Sequence, residues 1–238
     1  MTLARSTEEE VLLLESLKEL SRSGLPIYAA DGGSRPEFVA RAGEVAGVTI
    51  ASASGRLVGQ IQTALWLASE AAADNILYTE PDKRVFFANG LPEFLQRAAK
   101  NAGASVVVPG RDEESFRTFP AGQQRTERSF NELASFFLGT EGDLLYGPLL
   151  FDRRRALPFI HDVAGDLGWG WRPYVIARCV RAGYSVACEP GSFPCPPEQR
   201  REDDPTTRVY RLEQLAQNVE GLRRGLLHSD AASNRAPG

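Results

Sequence analysis

The chain has 238 residues, of which 42% are hydrophobic and 24% are charged, and its formal net charge at pH 7 is −4. These values are typical of a folded globular protein and exclude collagen, simple disorder and a small disulfide scaffold. The acidic balance argues against nucleic acid as a partner, so any phosphate bound by the arginine clusters is expected to belong to a small molecule.

The first half of the chain alternates between helices and short apolar strands. Helices are predicted over residues 7–20, 35–46, 59–73 and 92–102, and strands over residues 26–30, 48–51, 75–79 and 104–109. Thr7 is the predicted cap of the first helix. Strands that are separated by helices of about ten or more residues predict parallel pairing with right-handed crossovers. The predicted fold class is therefore α/β, with an open, mostly parallel twisted sheet flanked by helices.

The second half is less regular. The pattern predicts an amphipathic segment over residues 130–138, a strand or extended loop over 143–151, helices over 153–166, 173–182 and 209–227, and a last strand over 184–188. The proline-rich, charged run at residues 190–205 is a candidate lid over a site. We predict a single domain over residues 1–228, with halves 1–109 and 110–228, and a flexible polar tail over 229–238.

The cellular location is predicted from cysteines and apolar runs. Cys179, Cys188 and Cys195 contain no C-x-x-C pair, so neither a disulfide framework nor a cysteine zinc site is indicated, and a reducing cytoplasm is expected. No apolar run approaches the roughly 20 residues that cross a bilayer. The N-terminal residues lack the apolar core of a signal peptide, so no secretion is expected.

Polar residues follow the first predicted strand, where an open parallel sheet places its ligand. Asp31 and Gly32 stand at this point. Gly32 would let a ligand approach the backbone closely, and Asp31 can accept hydrogen bonds from a base or a ribose. Asp-Gly is also a common turn dipeptide, so an ordinary turn is the alternative.

Two carboxylates follow the third predicted strand. Glu80 and Asp82 are one residue apart, an arrangement that can hold a divalent cation shared with a diphosphate. Mg²⁺ often takes only one or two protein carboxylates and fills its other positions with water and phosphate. The alternative is a solvated turn in which Lys83 and Arg84 neutralise the two acids.

The loop over residues 55–60 leads into a predicted helix N-terminus. Free backbone amides there, together with Arg56 and Gly59, can bind an anionic phosphate. The loop lacks the Gly-Lys-Ser/Thr ending of an ATPase phosphate loop, and Asp31-Gly32 does not complete a dinucleotide fingerprint. Neither an ATPase nor a dehydrogenase is favoured.

The order of these segments, with residues 55–83 as the specific stretch, resembles the nucleotide-sugar-binding half of GT-A glycosyltransferases. The resemblance implies Mg or Mn on the donor diphosphate, with Asp82 as the better ligand and Glu80 in a weaker or water-mediated position. It also implies that Asp31 with Gly32 lies near the nucleoside, and that Arg56 with Gly59 lies near the phosphate.

The second half is similar to the acceptor side of retaining glucosyl-3-phosphoglycerate and mannosyl-3-phosphoglycerate synthases. The similarity rests on residues 147–154, on residues 168–171, and on residues 122–127, which resemble a Gly-Arg-x-x-Glu acceptor loop. The acceptor-binding residues that it implies are Gly122, Arg125, Thr126, Gly147, Arg153 and Arg154. Asp203 or Asp204 would replace the late histidine metal ligand of those families. A charged surface loop is the alternative for this pair.

Two departures from those families bear on activity. They begin with an apolar strand and a nucleoside-contacting loop, whereas this sequence starts almost at a helix. They also carry a glutamate where Arg172 stands after Gly168-Trp169-Gly170-Trp171. These departures favour the alternative of a glycosyltransferase-like protein that binds a nucleotide or a partner without transfer.

The resemblance predicts a metal-dependent glycosyltransferase that moves a sugar from a nucleoside-diphosphate sugar to a small acceptor, with an anionic one such as a phosphorylated glycerate as the example. No general base is evident, so retention, with the departing phosphate helping to deprotonate the acceptor, is the implied mechanism. Trp169, Trp171 and Tyr174 are candidates to stack on a sugar, with burial in the core as the alternative. The sugar, the base and the oligomeric state, including a homodimer, stay open.

Overall fold

The computed structural model describes residue 4, residues 6–54 and residues 56–228; the predicted tail at 229–238 lies outside this part of the chain. The helices are α1 (Thr7–Ser21), α2 (Pro36–Gly43), α3 (Leu57–Ser69), α4 (Leu91–Ala98), α5 (Glu113–Phe116), α6 (Ala121–Leu138), α7 (Leu157–His161), α8 (Trp171–Arg181) and α9 (Pro205–Leu227). The strands are β1 (Ile27–Asp31), β2 (Val48–Ser52), β3 (Asn75–Tyr78), β4 (Val106–Arg111), β5 (Leu149–Asp152) and β6 (Val186–Gly191). The α/β class is as predicted.

The strands form two sheets within the described residues. Strands β1 and β2 pair in parallel, and the second sheet has the order β3-β5-β4-β6. Strand β6 pairs in parallel with β4, while β5 runs antiparallel to both β3 and β4. Strands β3 and β4 do not pair directly, because the segment predicted as a strand or extended loop lies between them as β5.

The first-half elements lie close to their predicted positions. The cap of α1 is Ser6 and not Thr7, since the Ser6 hydroxyl accepts a hydrogen bond from the amide of Glu9 at 3.2 Å. A π-helical turn over Phe86–Gly90 precedes α4. Helix α3 begins at Leu57, two residues before its predicted start.

Three second-half predictions are corrected. Helix α6 begins at Ala121, so the residues predicted as an acceptor loop form its first turns. The helix predicted over 153–166 is reduced to α7, because the Asp152 carboxylate accepts the amides of Arg154 and Arg155 at 2.9 Å and holds a turn there. Helix α9 begins earlier than predicted, with Asp204 as its cap.

Close backbone approach fixes α9 against α8. A Cβ on Gly221 would collide with the backbone of Gly170, and a Cβ on Gly225 would lie 2.6 Å from the carbonyl oxygen of Tyr174. The main core cluster joins these helices to the four-stranded sheet through side chains such as Trp171 and Phe151. This packing sets the position of the start of α8 at the sheet.

An apolar cavity of about 210 Å³ separates the two sheets. Strands β1 and β3 form two of its walls, and helix α3 packs on both strands. Each strand has only one pairing partner within the described residues, β2 for β1 and β5 for β3. The strand ends that carry Asp31 and Glu80 thus lie on different sides of this cavity.

No helix in the described part of the chain is long and apolar enough to span a membrane. The three cysteines form no disulfide within these residues. Burial raises the pKa of the Cys179 and Cys188 thiols to about 11, which keeps both protonated at neutral pH.

Candidate active site at the carboxyl end of strand β3

The centre of the candidate site is a buried ion pair between Glu80 and Arg172. Glu80 follows β3, and Arg172 lies in the first turn of α8, 92 positions away in sequence. Arg172 Nη1 donates a hydrogen bond to Glu80 Oε1 at 3.1 Å, and each side chain is 8% exposed. Two atoms of the pair, Glu80 Oε2 and Arg172 Nε, are buried without a hydrogen-bond partner. Buried polar atoms of this kind are rare, and each one calls for a physical explanation such as strain, a bound water or an ion.

Gly147 closes over this pair. Its φ of +129° is in the region that favours glycine, and a Cβ there would collide with Glu80 Oε2 and lie 3.0 Å from Cε of Lys83. The predicted acceptor residue Gly147 and the predicted metal ligand Glu80 are therefore neighbours.

Asp82 and Lys83 form the outer part of the site. Lys83 Nζ lies 3.3 Å from Asp82 Oδ2, and the Asp82 side chain is 48% exposed. Burial alone would lower the pKa of Lys83, but the charges of Asp82 and Glu80 outweigh it and raise that pKa. Residues of the predicted lid, Pro194 and Pro196, line a small pocket with Asp82.

The Tyr78 hydroxyl lies at the same strand end. Burial raises the pKa of Tyr78 well above its ordinary value, and the negative charge of Glu80 adds to the shift. The hydroxyl therefore stays protonated and is a neutral group beside the carboxylate.

The two predicted phosphate- and nucleoside-binding segments come together at the end of β1. A Cβ on Gly32 would collide with the side chain of Gln60, and a Cβ on Gly59 would lie 2.8 Å from the carbonyl oxygen of Ser54. Both glycines therefore permit the close approach of α3 to the preceding loops. Arg56 is exposed at the N-cap of α3, where no side chain caps the helix.

Asp31 is engaged by its own turn. Its carboxylate accepts the amides of Gly33 and Ser34 at 2.9 and 2.8 Å and the Ser34 hydroxyl at 2.6 Å. This arrangement agrees with the turn interpretation. A contact of Asp31 with a nucleoside stays a prediction.

A polar cavity of about 30 Å³ lies on the other side of Arg172. Its walls include Thr126 of α6, Trp169 before α8, and Arg211 and Asn218 of α9. Asn218 Oδ1 is buried without a hydrogen-bond partner, and Arg211 Nε faces the Asp203 carboxylate. The cavity has room for one or two water-sized groups, and Arg172 connects it to Glu80.

The late acidic residues have separate structural roles. Asp203 lies against Gly122, and its Oδ2 is 3.5 Å from Nε of Arg211. Asp204 caps α9 by accepting the amide of Thr207 at 2.7 Å, and this hydrogen bond lowers the pKa of Asp204. Within the described residues, no three Asp, Glu, His or Cys side chains form one metal-binding group. The predicted ligand set of Glu80, Asp82 and an Asp of this pair is therefore not assembled.

The predicted acceptor residues divide into two groups. Thr126 borders the polar cavity, and Arg125 is exposed on the same first turns of α6. Arg153 and Arg154 follow the end of β5 that pairs with Asn75, at the opposite end of β3 from Glu80. Arg153 donates to the carbonyl oxygens of Ser69 and Ala71, which ties it to the end of α3. The antiparallel direction of β5 thus removes these two arginines from the candidate site.

Arg111 is a residue that the sequence analysis missed. It ends β4, and its guanidinium pairs with Asp143 and Glu127 inside the protein. The ring of Phe119 lies 4.3 Å from the guanidinium carbon. The position of Arg111 directly after the predicted apolar strand marked it as a candidate site residue. Its pairing with Asp143, 32 positions away, could not be predicted from the sequence.

The candidate aromatic residues are mainly structural. Trp171 and Tyr174 are buried in the main core cluster, as the alternative interpretation held. Trp169 is half-buried, its Nε1 donates to the Tyr210 hydroxyl at 2.8 Å, and its ring lies 5.3 Å from the Arg172 guanidinium carbon. Of the three, Trp169 alone borders the polar cavity.

Comparison with known proteins gives matches in structure. No family model and no curated protein sequence matches this chain. It is similar to glucosyl-3-phosphoglycerate synthase of Mycobacterium tuberculosis, with 14% identity over 96% of this chain and 80% of that chain, and a TM-score of 0.59. The same enzyme with Mn²⁺, UDP-glucose and phosphoglyceric acid gives 14% identity, 96% and 79% coverage and a TM-score of 0.61. Its complex with Mn²⁺, UDP and glucosyl-3-phosphoglycerate gives 13% identity over 95% of this chain and 79% of that chain, with a TM-score of 0.59. At sequence identities this low, the comparison supports a shared fold and nothing finer.

Proposed function

Because the chain has the GT-A glycosyltransferase fold, we propose that it binds a nucleoside-diphosphate sugar and transfers the sugar to a small anionic acceptor. The observation that carries the proposal is the position of Glu80 and Asp82 at the end of β3, next to a polar cavity with unpartnered buried groups. The similar mycobacterial synthase has been crystallised with UDP-glucose and phosphoglyceric acid, which supports these ligand classes.

The donor phosphates would lie between Arg56 and the end of β3. Helix α3 presents uncapped amides at its N-terminus, its first turn carries no acidic residue, and Arg56 is exposed beside it. Amides and a guanidinium so placed stabilise negative charge on a leaving diphosphate. Gly32 would lie near the nucleoside, and Asp31 would shape this contact through its turn.

The donor set near Glu80 fits a divalent cation in part. Asp82 is half-exposed and can offer a hard oxygen ligand, whereas the Glu80 side chain is 8% exposed and its Oε2 lies under Gly147. We propose Asp82 as the ligand of Mg or Mn and Glu80 as the weaker one. When bound, the cation would neutralise charge on the diphosphate. Asp203 and Asp204 are not needed for this proposal.

The acceptor would bind on the α6 side of Arg172. Gly122, Arg125 and Thr126 lie on the first turns of α6, and Gly147 lies beside Glu80. Arg125 would hold the anionic group of the acceptor, and the Thr126 hydroxyl borders the cavity that would receive its polar end.

A nucleotide-binding protein without transfer activity is the second candidate. It is favoured by the Arg172–Glu80 pair, which places a cation beside a carboxylate of the proposed metal site.

Calorimetry and turnover separate the two candidates. UDP, GDP and their glucose and mannose conjugates are titrated with and without Mn²⁺, and sugar transfer to 3-phosphoglycerate is measured. The enzyme proposal expects binding and transfer, with loss of metal-dependent transfer in Asp82→Ala. Arg56→Ala should weaken nucleotide binding about tenfold, whereas Arg154→Ala should leave it unchanged. Binding without transfer supports the second candidate, and no binding of any nucleotide contradicts both.

A further inference from the structure

We propose that Arg172 and Lys83 neutralise the Glu80–Asp82 motif from within the protein, so that a divalent cation binds only together with the diphosphate and not to the free protein. The part that concerns the free protein rests on the charges of this site alone. The part that concerns the diphosphate rests on the proposed function.

The charges of the motif balance pair by pair. Arg172 Nη1 lies 3.1 Å from Glu80 Oε1, and Lys83 Nζ lies 3.3 Å from Asp82 Oδ2. Two carboxylates and two cations give a formal charge of zero. A metal ion that approaches the free protein therefore meets a neutral site in place of a dianionic one, and carboxylate charge is a main determinant of affinity for hard cations.

Arg172 has the larger effect because of its burial. Its side chain is 8% exposed, and solvent screens its charge little, whereas the Asp82–Lys83 pair lies at the surface with Asp82 48% exposed. An arginine side chain carries its positive charge throughout the physiological pH range. The neutralisation of Glu80 is thus a permanent property of the site.

Geometry reinforces the charge effect. Arg172 occupies one oxygen of Glu80 and Gly147 covers the other, so neither carboxylate oxygen of Glu80 is open to a metal ion in the free protein. The arginine is held in place from behind by the Trp169 ring, whose centre is 5.3 Å from the guanidinium carbon. Motion of Arg172 away from Glu80 would disrupt this contact as well.

A diphosphate changes the balance in favour of the metal. It brings negative charge and oxygen ligands of its own, so Asp82 need supply only one ligand of the cation. Lys83 is the partner that can move from Asp82 to a phosphate, since its side chain is less buried than that of Arg172, at 22% exposed, and one contact joins it to the half-exposed Asp82. The metal and the nucleotide are then expected to bind with strong mutual dependence.

The test measures Mn²⁺ binding by electron paramagnetic resonance of the free ion, on the full chain, with no sugar donor. The wild-type protein should bind Mn²⁺ weakly, and Arg172→Gln should bind it about tenfold more tightly or better because one buried positive charge is removed. Arg211→Gln is the matched control. It removes an arginine from the same polar cavity but leaves the Glu80 pair intact, and it should bind Mn²⁺ like the wild type.

Two further variants locate the effect. Arg172→Gln combined with Glu80→Gln should lose the gain, since the released carboxylate is then absent. Lys83→Gln, near the surface, frees Asp82 and should tighten Mn²⁺ binding without disturbing the buried pair. Circular dichroism checks whether Arg172→Gln folds. If it does not fold, the Lys83→Gln variant still tests the proposal.

The outcomes are decisive in each direction. Tight Mn²⁺ binding to the wild-type protein without nucleotide, or no gain in a folded Arg172→Gln or in Lys83→Gln, overturns the neutralisation proposal. If the variants gain Mn²⁺ affinity but neither they nor the wild type bind UDP or GDP with the metal, the neutralisation stands and the proposed function fails. A gain in the variants together with at least tenfold tighter Mn²⁺ binding to the wild type in the presence of UDP supports both.

Discussion

Arg111 and Asp143 form a two-point ion pair inside the protein, with 2.6 Å between Nε and Oδ2 and 3.1 Å between Nη2 and Oδ1. The pair ties the end of β4 to the loop that leads to Gly147. Asp143 also accepts a hydrogen bond from the Asn131 side chain at 3.1 Å. The position of Gly147 over Glu80 therefore depends on a polar network at the end of β4.

Removal of the Asp143 charge should destabilise the protein strongly. Asp143→Asn leaves the buried Arg111 with one charged partner fewer, and breaking a buried pair in this way costs about 3–5 kcal/mol in the free energy of unfolding. Urea denaturation measures the change. Glu113→Gln, which breaks exposed pairs with Arg117 and Arg128, is the control and should cost less than about 1 kcal/mol. Equal effects of the two changes would contradict the structural role of Asp143.

The same pair predicts a dependence of stability on acid. Burial would raise the pKa of Asp143, but Arg111 outweighs it and lowers that pKa below its ordinary value. A carboxyl whose pKa is lowered by folding stabilises the protein above its unfolded pKa of about 3.9, and this contribution is lost as the pH falls through the folded pKa. The difference in unfolding free energy between wild type and Asp143→Asn should therefore shrink below about pH 4. A difference that is constant with pH would contradict this assignment.

Gly147→Ala should damage the site. The residue has a positive φ, and the added Cβ would collide with the Glu80 carboxylate, so we expect a loss of about 1–3 kcal/mol in stability and weaker UDP binding. Gly165→Ala is the control, because its Cβ meets no atom within 4 Å. Unfolding and calorimetry on both variants measure the two effects. Normal stability and UDP binding in Gly147→Ala would show that this close approach is unimportant.

The cavity between β1 and β3 should accept a larger side chain. Ala68 of α3 lines it, so Ala68→Leu should be neutral or stabilise the protein by up to about 1 kcal/mol. The same change at Ala134 of α6, which is fully buried in the main core cluster, should destabilise it by about 1–3 kcal/mol. Thermal denaturation of the two variants makes the comparison. A strong loss from Ala68→Leu would mean that the space is not free in solution.

Asp204→Ala distinguishes a helix cap from a metal ligand. Loss of the hydrogen bond to the amide of Thr207 should cost about 1 kcal/mol of stability. Mn²⁺ binding with UDP should stay as in the wild type, because Asp204 lies outside the proposed metal site. A loss of Mn²⁺ affinity at preserved stability would restore Asp204 as a ligand.

The sequence by itself determined the local elements and the position of the acidic motif. Apolar runs of strand length located five of the strands to within a few residues. Glu80 and Asp82 follow one of these runs, β3, at the end of the sheet where α/β proteins bind ligands. These features depend on neighbours in sequence, so local physical chemistry predicts them.

Only the tertiary structure decided which distant residues meet. The insertion of β5 between β3 and β4 moved Arg153 and Arg154 away from the site, and the packing of α8 brought Arg172 onto Glu80. Strand order and ion pairing across 92 positions depend on the packing of the whole core, which no local pattern records. The charge of the candidate site is set by that packing.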